Sequence, residues 1–169
     1  LILAYLPALV HAGDYGPYVV EKAALWLPDY LRGFYGLNEK KFVLLQDIYQ
    51  LAVQFRLQNF EGKHVRKRGS AYFEPVITRG KRIQFREGGN PIFNLAGRPP
   101  RMAVTGTAFD SDVIFNLGLI SDPNKFTFSE ALGLWVHELG HKLPKGKYSQ
   151  EQIDEIAGLV SQRYSDQML

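Results

Sequence analysis

Residues 127–141 read TFSEALGLWVHELGH, and this stretch decides which fold the sequence predicts. Thr127 and Glu130 have the spacing of a helix capping box, in which each side chain accepts a hydrogen bond from the other residue's backbone N–H. The apolar residues that follow predict a buried helix running to about His141. Pro144 prevents this helix from going much further.

The end of this helix carries an H-E-x-x-H pattern formed by His137, Glu138 and His141. Residues four apart lie on one helix face, with Cβ atoms about 5–6 Å apart, so the two imidazoles can converge on one zinc ion. Glu138 then projects beside the metal, where it can take a proton from water. Such polar residues on a buried helix are costly without partners, and a metal supplies one. The alternative is two surface histidines on an ordinary helix.

A catalytic zinc ion needs a third protein ligand, and in a chain without cysteine it must be His, Asp or Glu. The helix predicted over residues 149–164 offers Asp154 and Glu155. Asp154 lies at the edge of that helix's apolar stripe, beside the small residues Ala157 and Gly158, whereas Glu155 lies on the opposite, solvated side. We therefore predict Asp154 as the third ligand. Glu155 as ligand and a purely structural acidic helix start are the alternatives.

The rest of the chain predicts a single α+β domain. Two N-terminal helices are expected over 17–31, interrupted at Pro28, and over 39–59 after an Asn38 N-cap. The second should bury a stripe formed by Phe42, Leu45, Ile48, Tyr49, Ala52 and Phe55. Between 62 and 120, short runs of β-formers alternate with Gly and Pro turns, which predicts a small, mostly antiparallel sheet. Its expected strands are Tyr72-Phe73, Arg82-Ile83-Gln84-Phe85, Met102-Ala103-Val104 and Asp112-Val113-Ile114-Phe115.

Length and composition agree with one folded domain. The 169 residues are 46% apolar and 22% charged, with a net charge of +3. Residues 1–10 are apolar and uncharged, and the small residues Val10 and Ala12 suit a signal-peptidase site after Ala12. We therefore predict a truncated signal peptide over 1–12, an exported protein and one domain over 13–169. A buried N-terminal strand or helix is the alternative. No stretch after residue 12 is long and apolar enough to be a transmembrane span.

The sequence His137-Glu138-Leu139-Gly140-His141 resembles the active-site helix of the zincin metallopeptidase superfamily. Downstream, Asp154-Glu155-Ile156-Ala157 resembles the acidic third-ligand helix of its gluzincin and aspzincin branches. The chain is also similar to the ImmA/IrrE-like metallopeptidases, which usually have Glu in place of Asp154 and commonly Asn in place of Gly158. The resemblance covers about residues 127–164.

This resemblance implies a zincin-like fold that binds Zn²⁺ through the two motif histidines and Asp154. It implies hydrolysis of a peptide or protein substrate, with Glu138 as the general base for a water molecule activated by the zinc. An edge strand would bind extended substrate over the cleft, and residues 113–116 are the best candidate. The metzincin branch is excluded, because Pro144 and Lys147 occupy the places where it has Gly and His.

Three further features bear on function. Tyr148 and His64 are candidate donors to the oxyanion, although each can equally be structural or exposed. The basic cluster at residues 63–68 can steer an anionic partner, but its flanking glutamates and weak aromatic content favour a solvated loop, so no nucleic-acid partner is expected. The alternative function is a binding module on a zincin-like scaffold with a structural or absent metal. Such a module would have no reason to keep Glu138.

Overall fold

The computed structural model describes residues 15–60 and 82–169, together with the backbone of residues 64–65 and 74–75. In chain order the elements are α1 (Tyr15–Arg32), α2 (Glu39–Asn59), β1 (His64–Val65), β2 (Glu74–Pro75), β3 (Ile83–Arg86), β4 (Ala103–Thr105), β5 (Val113–Asn116), α3 (Leu117–Ile120), α4 (Phe128–Gly140) and α5 (Gln150–Gln167). A 3-10 turn at Pro91–Phe93 lies between β3 and β4. The predicted α+β class is confirmed.

The long helices begin where their capping residues predict. Asn38 accepts a hydrogen bond from the backbone of Lys41 at the start of α2, and Thr127 and Ser149 form complete capping boxes at the starts of α4 and α5. Pro28 was expected to interrupt the first helix, but α1 continues through it. Burial accounts for the difference, because Leu27 and Pro28 pack into the core together with Ala24 and Leu31, about one turn away on either side, and hold the helix together despite the lost hydrogen bond.

The buried stripe of α2 differs from the prediction at its first turn. Leu45, Ile48, Ala52 and Phe55 are buried as expected, whereas Phe42 is 47% exposed. On a helix that turns by about 100° per residue, Phe42 lies about 110° from the centre of this stripe. Its place in the core is taken by Leu44, which is buried, and Tyr49 is only partly buried.

Strands β3, β4 and β5 form a mixed sheet with β5 in the middle. β5 runs parallel to β3, with Ile83 opposite Val113, and antiparallel to β4, with Ala103 opposite Phe115. The prediction of a mostly antiparallel sheet was therefore wrong for β3 and β5, whose long connection allows a parallel crossover. β1 and β2 form a separate antiparallel pair, and the strand predicted at Tyr72-Phe73 lies outside the described residues.

The candidate substrate-binding strand also needs correction. Residues 113–116, predicted to form the edge strand over the cleft, are the central strand β5. Val113 and Phe115 are fully buried there, and Asn116 is 1% exposed. A nearly continuous apolar run is typical of a strand that is paired on both sides. Among the described residues, β3 and β4 each pair on one side only, and β4 is the one of these two edge strands that borders the cleft.

Helix α4 lies at the centre of the core, between the other helices and the sheet. Trp135 is 1% exposed, and its ring packs against Phe55 of α2 and Phe115 of β5 at centroid distances of 5.0 and 5.2 Å. Its indole N–H donates to the backbone carbonyl of Val20 in α1, at 2.8 Å. This one side chain therefore fixes α4 against three other elements, and the histidines that follow it lie on a rigidly held helix.

Two predictions concern residues that the structure does not describe. The signal peptide predicted over 1–12 lies outside the described part of the chain, as do the side chains of the basic cluster at 63–68. Among the helices that are described, none has the length and apolar character needed to cross a membrane.

Candidate metal centre

The site forms where α4 and α5 pack closely. Two glycines of α4 make this approach possible. A Cβ on Gly140 would lie 2.4 Å from Ile153 Cγ2, and one on Gly133 would lie 3.0 Å from the carbonyl oxygen of Ala157. Because neither glycine has a side chain, the start of α5 can lie directly against the end of α4. This contact brings Asp154 to the motif histidines.

The two histidines of the motif face each other across one helical turn. The Nε2 atoms of His137 and His141 are 3.0 Å apart, and their rings are 4.7 Å apart and nearly perpendicular. The structure thus brings together the two imidazoles, which share one helix face at the spacing expected of residues four apart. At this distance the pair needs something between the nitrogens, either a shared proton or a metal ion.

Asp154 contacts the opposite side of the His137 ring. Its Oδ1 lies 2.7 Å from Nδ1 of His137 and also accepts a hydrogen bond from Gln150 Nε2 at 2.9 Å. A carboxylate in this position favours the tautomer protonated on Nδ1, which leaves the lone pair of Nε2 directed toward His141. Asp154 therefore prepares His137 to act as a nitrogen ligand. Glu155 forms an ion pair with Lys41 of α2 instead.

The predicted residues meet, but not as three converging ligands. Among the residues that the structure describes, no group of three or more His, Asp or Glu side chains is arranged to hold a metal ion. For Asp154 to be the third ligand, its carboxylate would have to give up the hydrogen bond to Nδ1 of His137. The arrangement shown is that of an orienting carboxylate behind a histidine, and the sequence alone did not distinguish these two roles.

Glu138 is the buried acid of the site. It is 3% exposed, yet its carboxylate borders the cleft beside the histidines. Burial raises its pKa to about 7, against the opposing charges of Lys142 and Arg101. No hydrogen bond joins this carboxylate to another residue in the described part of the chain. A buried acid without a hydrogen-bond partner among the described residues, placed at a cleft wall, is available to a water molecule, a metal or a substrate.

His141 is kept in the neutral form that binds metals. Burial lowers its pKa, the neighbouring His137 and the more distant Arg101 lower it further, and Asp154 partly opposes them. A neutral imidazole with an available Nε2 is the ligand state that zinc needs. The electrostatics of His141 therefore agree with the geometry.

A cleft of about 750 Å³ runs over these residues. One face of α4, from Glu130 to the motif histidines, forms its floor; β4 and the two residues before it form one wall, and Ala157, Gly158 and Ser161 of α5 form the other. The small side chains of α5 leave the cleft open along its length. Its size suits a segment of extended peptide or a small molecule.

Two cations near the site were not anticipated from the sequence. Lys142 is 6% exposed, and its Nζ donates to the carbonyl oxygens of Ala108 and Ser111 at 3.2 and 2.8 Å. It thereby joins the end of α4 to the connection between β4 and β5. Arg101 borders the cleft just before β4. Lys142 follows the motif directly, but neither residue belongs to a spacing pattern that would have identified it.

Tyr148, one of the two candidate donors to an oxyanion, faces away from the cleft. The hydroxyl of Tyr148 donates to Oδ2 of Asp47 in α2 at 2.6 Å, and Tyr148 is not among the residues that border the cleft. The structural alternative therefore holds for Tyr148, because the loop before α5 turns its ring toward α2. The side chain of His64 lies outside the described residues.

Comparisons with known proteins identify no relative of this chain. No family model matches the chain, and neither a curated protein nor a solved structure matches it. Any functional assignment therefore depends on the H-E-x-x-H pattern and on the geometry of the site.

Proposed function

We propose that this protein is a zinc-dependent metallopeptidase with a zincin-like fold. One observation carries the proposal: two imidazole nitrogens face each other at 3.0 Å, and a buried glutamate borders the same cleft from the next position along the helix. The H-E-x-x-H pattern requires this context, a helix that presents both histidines to one point. Each of these features has a defined role in hydrolysis.

The available donors fit zinc in their chemistry. His137 and His141 would provide two neutral nitrogens, and Asp154 would supply the acidic partner, either behind His137 as in the structure or as the third ligand that the sequence predicts. Zinc, when bound, supplies a Lewis acid that activates water near neutral pH. The chain contains no cysteine, so a metal here would be held by nitrogen and oxygen donors, a set that zinc accepts.

Glu138 would transfer the proton during hydrolysis. A carboxylate accepts the proton of the attacking water and, once protonated, returns it to the amine that leaves. Both steps are efficient when the pKa of the acid lies near the working pH, and burial raises the pKa of Glu138 to about 7. Its position beside the histidines, and not between them, suits this role better than that of a ligand.

The edge strand β4 would hold the substrate. Residues 103–105 border the cleft, and β4 is paired on its β5 side only among the described residues. An extended peptide can add to such an edge through backbone hydrogen bonds, which bind any sequence in the same register. The scissile carbonyl would then lie above the end of α4. Binding of this kind explains how a small domain can position a flexible substrate.

A binding module on the same scaffold is the second candidate. It is favoured by the absence, in the described part of the chain, of three converging metal-binding side chains. Such a module would use the cleft to hold a peptide and would not cleave it. Glu138 argues against this candidate, because keeping an acid buried without a protein partner costs stability and contributes nothing to passive binding.

The decisive experiment compares wild-type protein with Glu138→Gln. We expect about one zinc per chain in both proteins by elemental mass spectrometry, because Glu138 is not a ligand. We expect cleavage of a peptide library by the wild type alone. Glu151→Gln is the matched control, since Glu151 is exposed on α5, and it should cleave like the wild type.

The possible results separate the two functions. Equal cleavage by the wild type and Glu138→Gln would remove Glu138 from the reaction. Peptide binding without zinc and without cleavage would favour the binding module.

A further inference from the structure

Two arginines border the cleft on the β4 side, in the segment that leads into that strand. The side chains of Arg98 and Arg101 are exposed and form part of the cleft wall. Neither guanidinium forms an ion pair or hydrogen bond with another described residue. Arg101 borders the same cleft as His137, Glu138 and His141.

The backbone that carries these arginines is held in place. The N–H of Arg101 donates to the carbonyl of Phe93 at 2.9 Å, and its own carbonyl accepts a hydrogen bond from Asn116 Nδ2 at 3.1 Å. The N–H of Arg98 donates to the carbonyl of Leu95 at 3.1 Å, and two prolines separate the arginines. A fixed backbone lowers the entropy lost when the side chains bind a ligand.

The acids in and beside the cleft form no ion pair with either arginine in the described part of the chain, and Glu138 is only 3% exposed. Glu130 accepts a hydrogen bond from the backbone N–H of Thr127, as part of the capping box of α4. Asp154 contacts His137 and Gln150. The wall before β4 is therefore a cationic surface that faces the space where a substrate would lie. An arginine in such a place binds carboxylates well, because its planar fork matches both carboxylate oxygens.

We propose that Arg101, together with Arg98, binds a carboxylate of the peptide in the cleft and makes the site selective for acidic substrates. This inference rests on the proposed function, since it takes the cleft to hold a peptide. The carboxylate belongs either to an Asp or Glu side chain or to the free C-terminus of a short peptide. The two sources share the same chemistry and are separated by the test.

The test measures binding to Glu138→Gln, which should not cleave its ligands. The probes are fluorescent octapeptide mixtures of random sequence with Glu or Gln fixed at one position in turn, each made as the free acid and as the C-terminal amide. Fluorescence anisotropy is recorded with zinc and with chelator. We expect a tenfold difference in affinity in one of the two comparisons. Either the Glu mixture binds about tenfold more tightly than the Gln mixture at one position, or the free acid binds about tenfold more tightly than the C-terminal amide. A tenfold difference corresponds to about 1.4 kcal/mol.

Variants then assign the preference to the arginines. In the background of Glu138→Gln, Arg98→Gln combined with Arg101→Gln should reduce the preference to about twofold or less. Arg32→Gln removes the same charge from the far helix α1 and should leave the preference unchanged. Arg101→Lys keeps the charge but not the fork and should retain part of the preference. Thermal unfolding followed by circular dichroism confirms that each variant is folded.

Two results would overturn the inference. One is equal binding by the parent protein in both comparisons, of Glu with Gln at every position and of the free acid with the C-terminal amide. The other is a carboxylate preference that survives loss of both arginines in a folded variant. Because binding is recorded in a variant that should not cleave and also without zinc, failure here is distinct from failure of the metallopeptidase proposal. That proposal would fail if the wild type neither bound zinc nor cleaved any peptide.

Discussion

At the residue scale, the contact between His137 and Asp154 decides how the site works. The carboxylate bonds to Nδ1 of His137, on the side of the ring opposite His141. A histidine supported in this way presents a fixed lone pair at Nε2, and such supporting carboxylates commonly tune the affinity of metal sites. The same acid was expected to be a ligand, so its two roles need a measurement that separates them.

Replacing Asp154 provides that measurement. We expect Asp154→Ala to weaken zinc binding by about 10- to 100-fold, the range for groups that orient a ligand. Asp154→Asn keeps an oxygen that can accept the Nδ1–H bond, so it should lose less. Competition with a chromogenic chelator gives both affinities. Equal and much larger losses in the two variants would instead identify Asp154 as the third ligand, and an unchanged affinity would remove it from the site.

At the element scale, the close packing of α4 against α5 is what assembles the site. Gly140 lies against Ile153, and only the absence of a side chain allows the contact. Gly158, on α5, has open space where its Cβ would be. A side chain would therefore be blocked at Gly140 and accommodated at Gly158. Substituting each glycine with alanine tests the packing directly.

We expect Gly140→Ala to lower the free energy of unfolding by about 1–3 kcal/mol, because the new methyl group would overlap a buried, β-branched side chain. The variant should also bind zinc more weakly, because displacement of α5 would move Asp154 away from His137. Gly158→Ala adds the same methyl group where nothing is in contact, and it should raise the free energy of unfolding by up to about 1 kcal/mol through helix propensity. Urea denaturation measures both. A Gly140→Ala variant as stable as the wild type would show that α4 and α5 do not pack this closely.

The connection between β4 and β5 is a second element that the site depends on. Lys142, which directly follows the motif, holds this connection through two backbone carbonyls. The edge strand is thereby kept in a constant position relative to the histidines. Arrangements of this kind are needed in a site where a substrate bound to one element must meet reacting groups on another.

At the scale of the whole molecule, the loop before α5 is joined to α2. Asp47 accepts hydrogen bonds from Lys147 Nζ at 2.7 Å and from the hydroxyl of Tyr148 at 2.6 Å. Burial alone would raise the pKa of Asp47, but these hydrogen bonds and the charge of Lys147 outweigh it and hold the pKa below its ordinary value of 3.8. The contact joins residues about a hundred positions apart and restrains the start of α5.

This contact should make stability depend on pH in a defined direction. Because the pKa of Asp47 is lowered in the folded state, its contribution is present above the pKa of the unfolded chain and is lost as the pH falls through the folded value. We expect Asp47→Asn to lower the free energy of unfolding by about 1 kcal/mol at pH 7 and much less near pH 3. Asp166→Asn, at an exposed site on α5, should show no comparable loss at pH 7. A constant difference for Asp47→Asn across this range would contradict the prediction.

Local signals in the sequence were sufficient for the helices and for the histidine pair. Capping residues and Pro144 bounded α4, and the four-residue spacing placed His137 and His141 on one face, as the structure shows. These signals act over a few residues, so they do not depend on the rest of the fold. The burial of α2 was predicted less well at Phe42, since one end of an amphipathic pattern fits two faces almost equally.

The sequence by itself determined the α+β class, the ends of the main helices and the pair of imidazoles, because periodicity and capping are properties of neighbouring residues. Only the tertiary structure decided which strand lies at the edge, which side of His137 meets Asp154, and that Arg101 and Lys142 lie near Glu138. Those outcomes depend on how close the helices pack and on how the strands are ordered. Both result from contacts between distant segments, which no local pattern encodes.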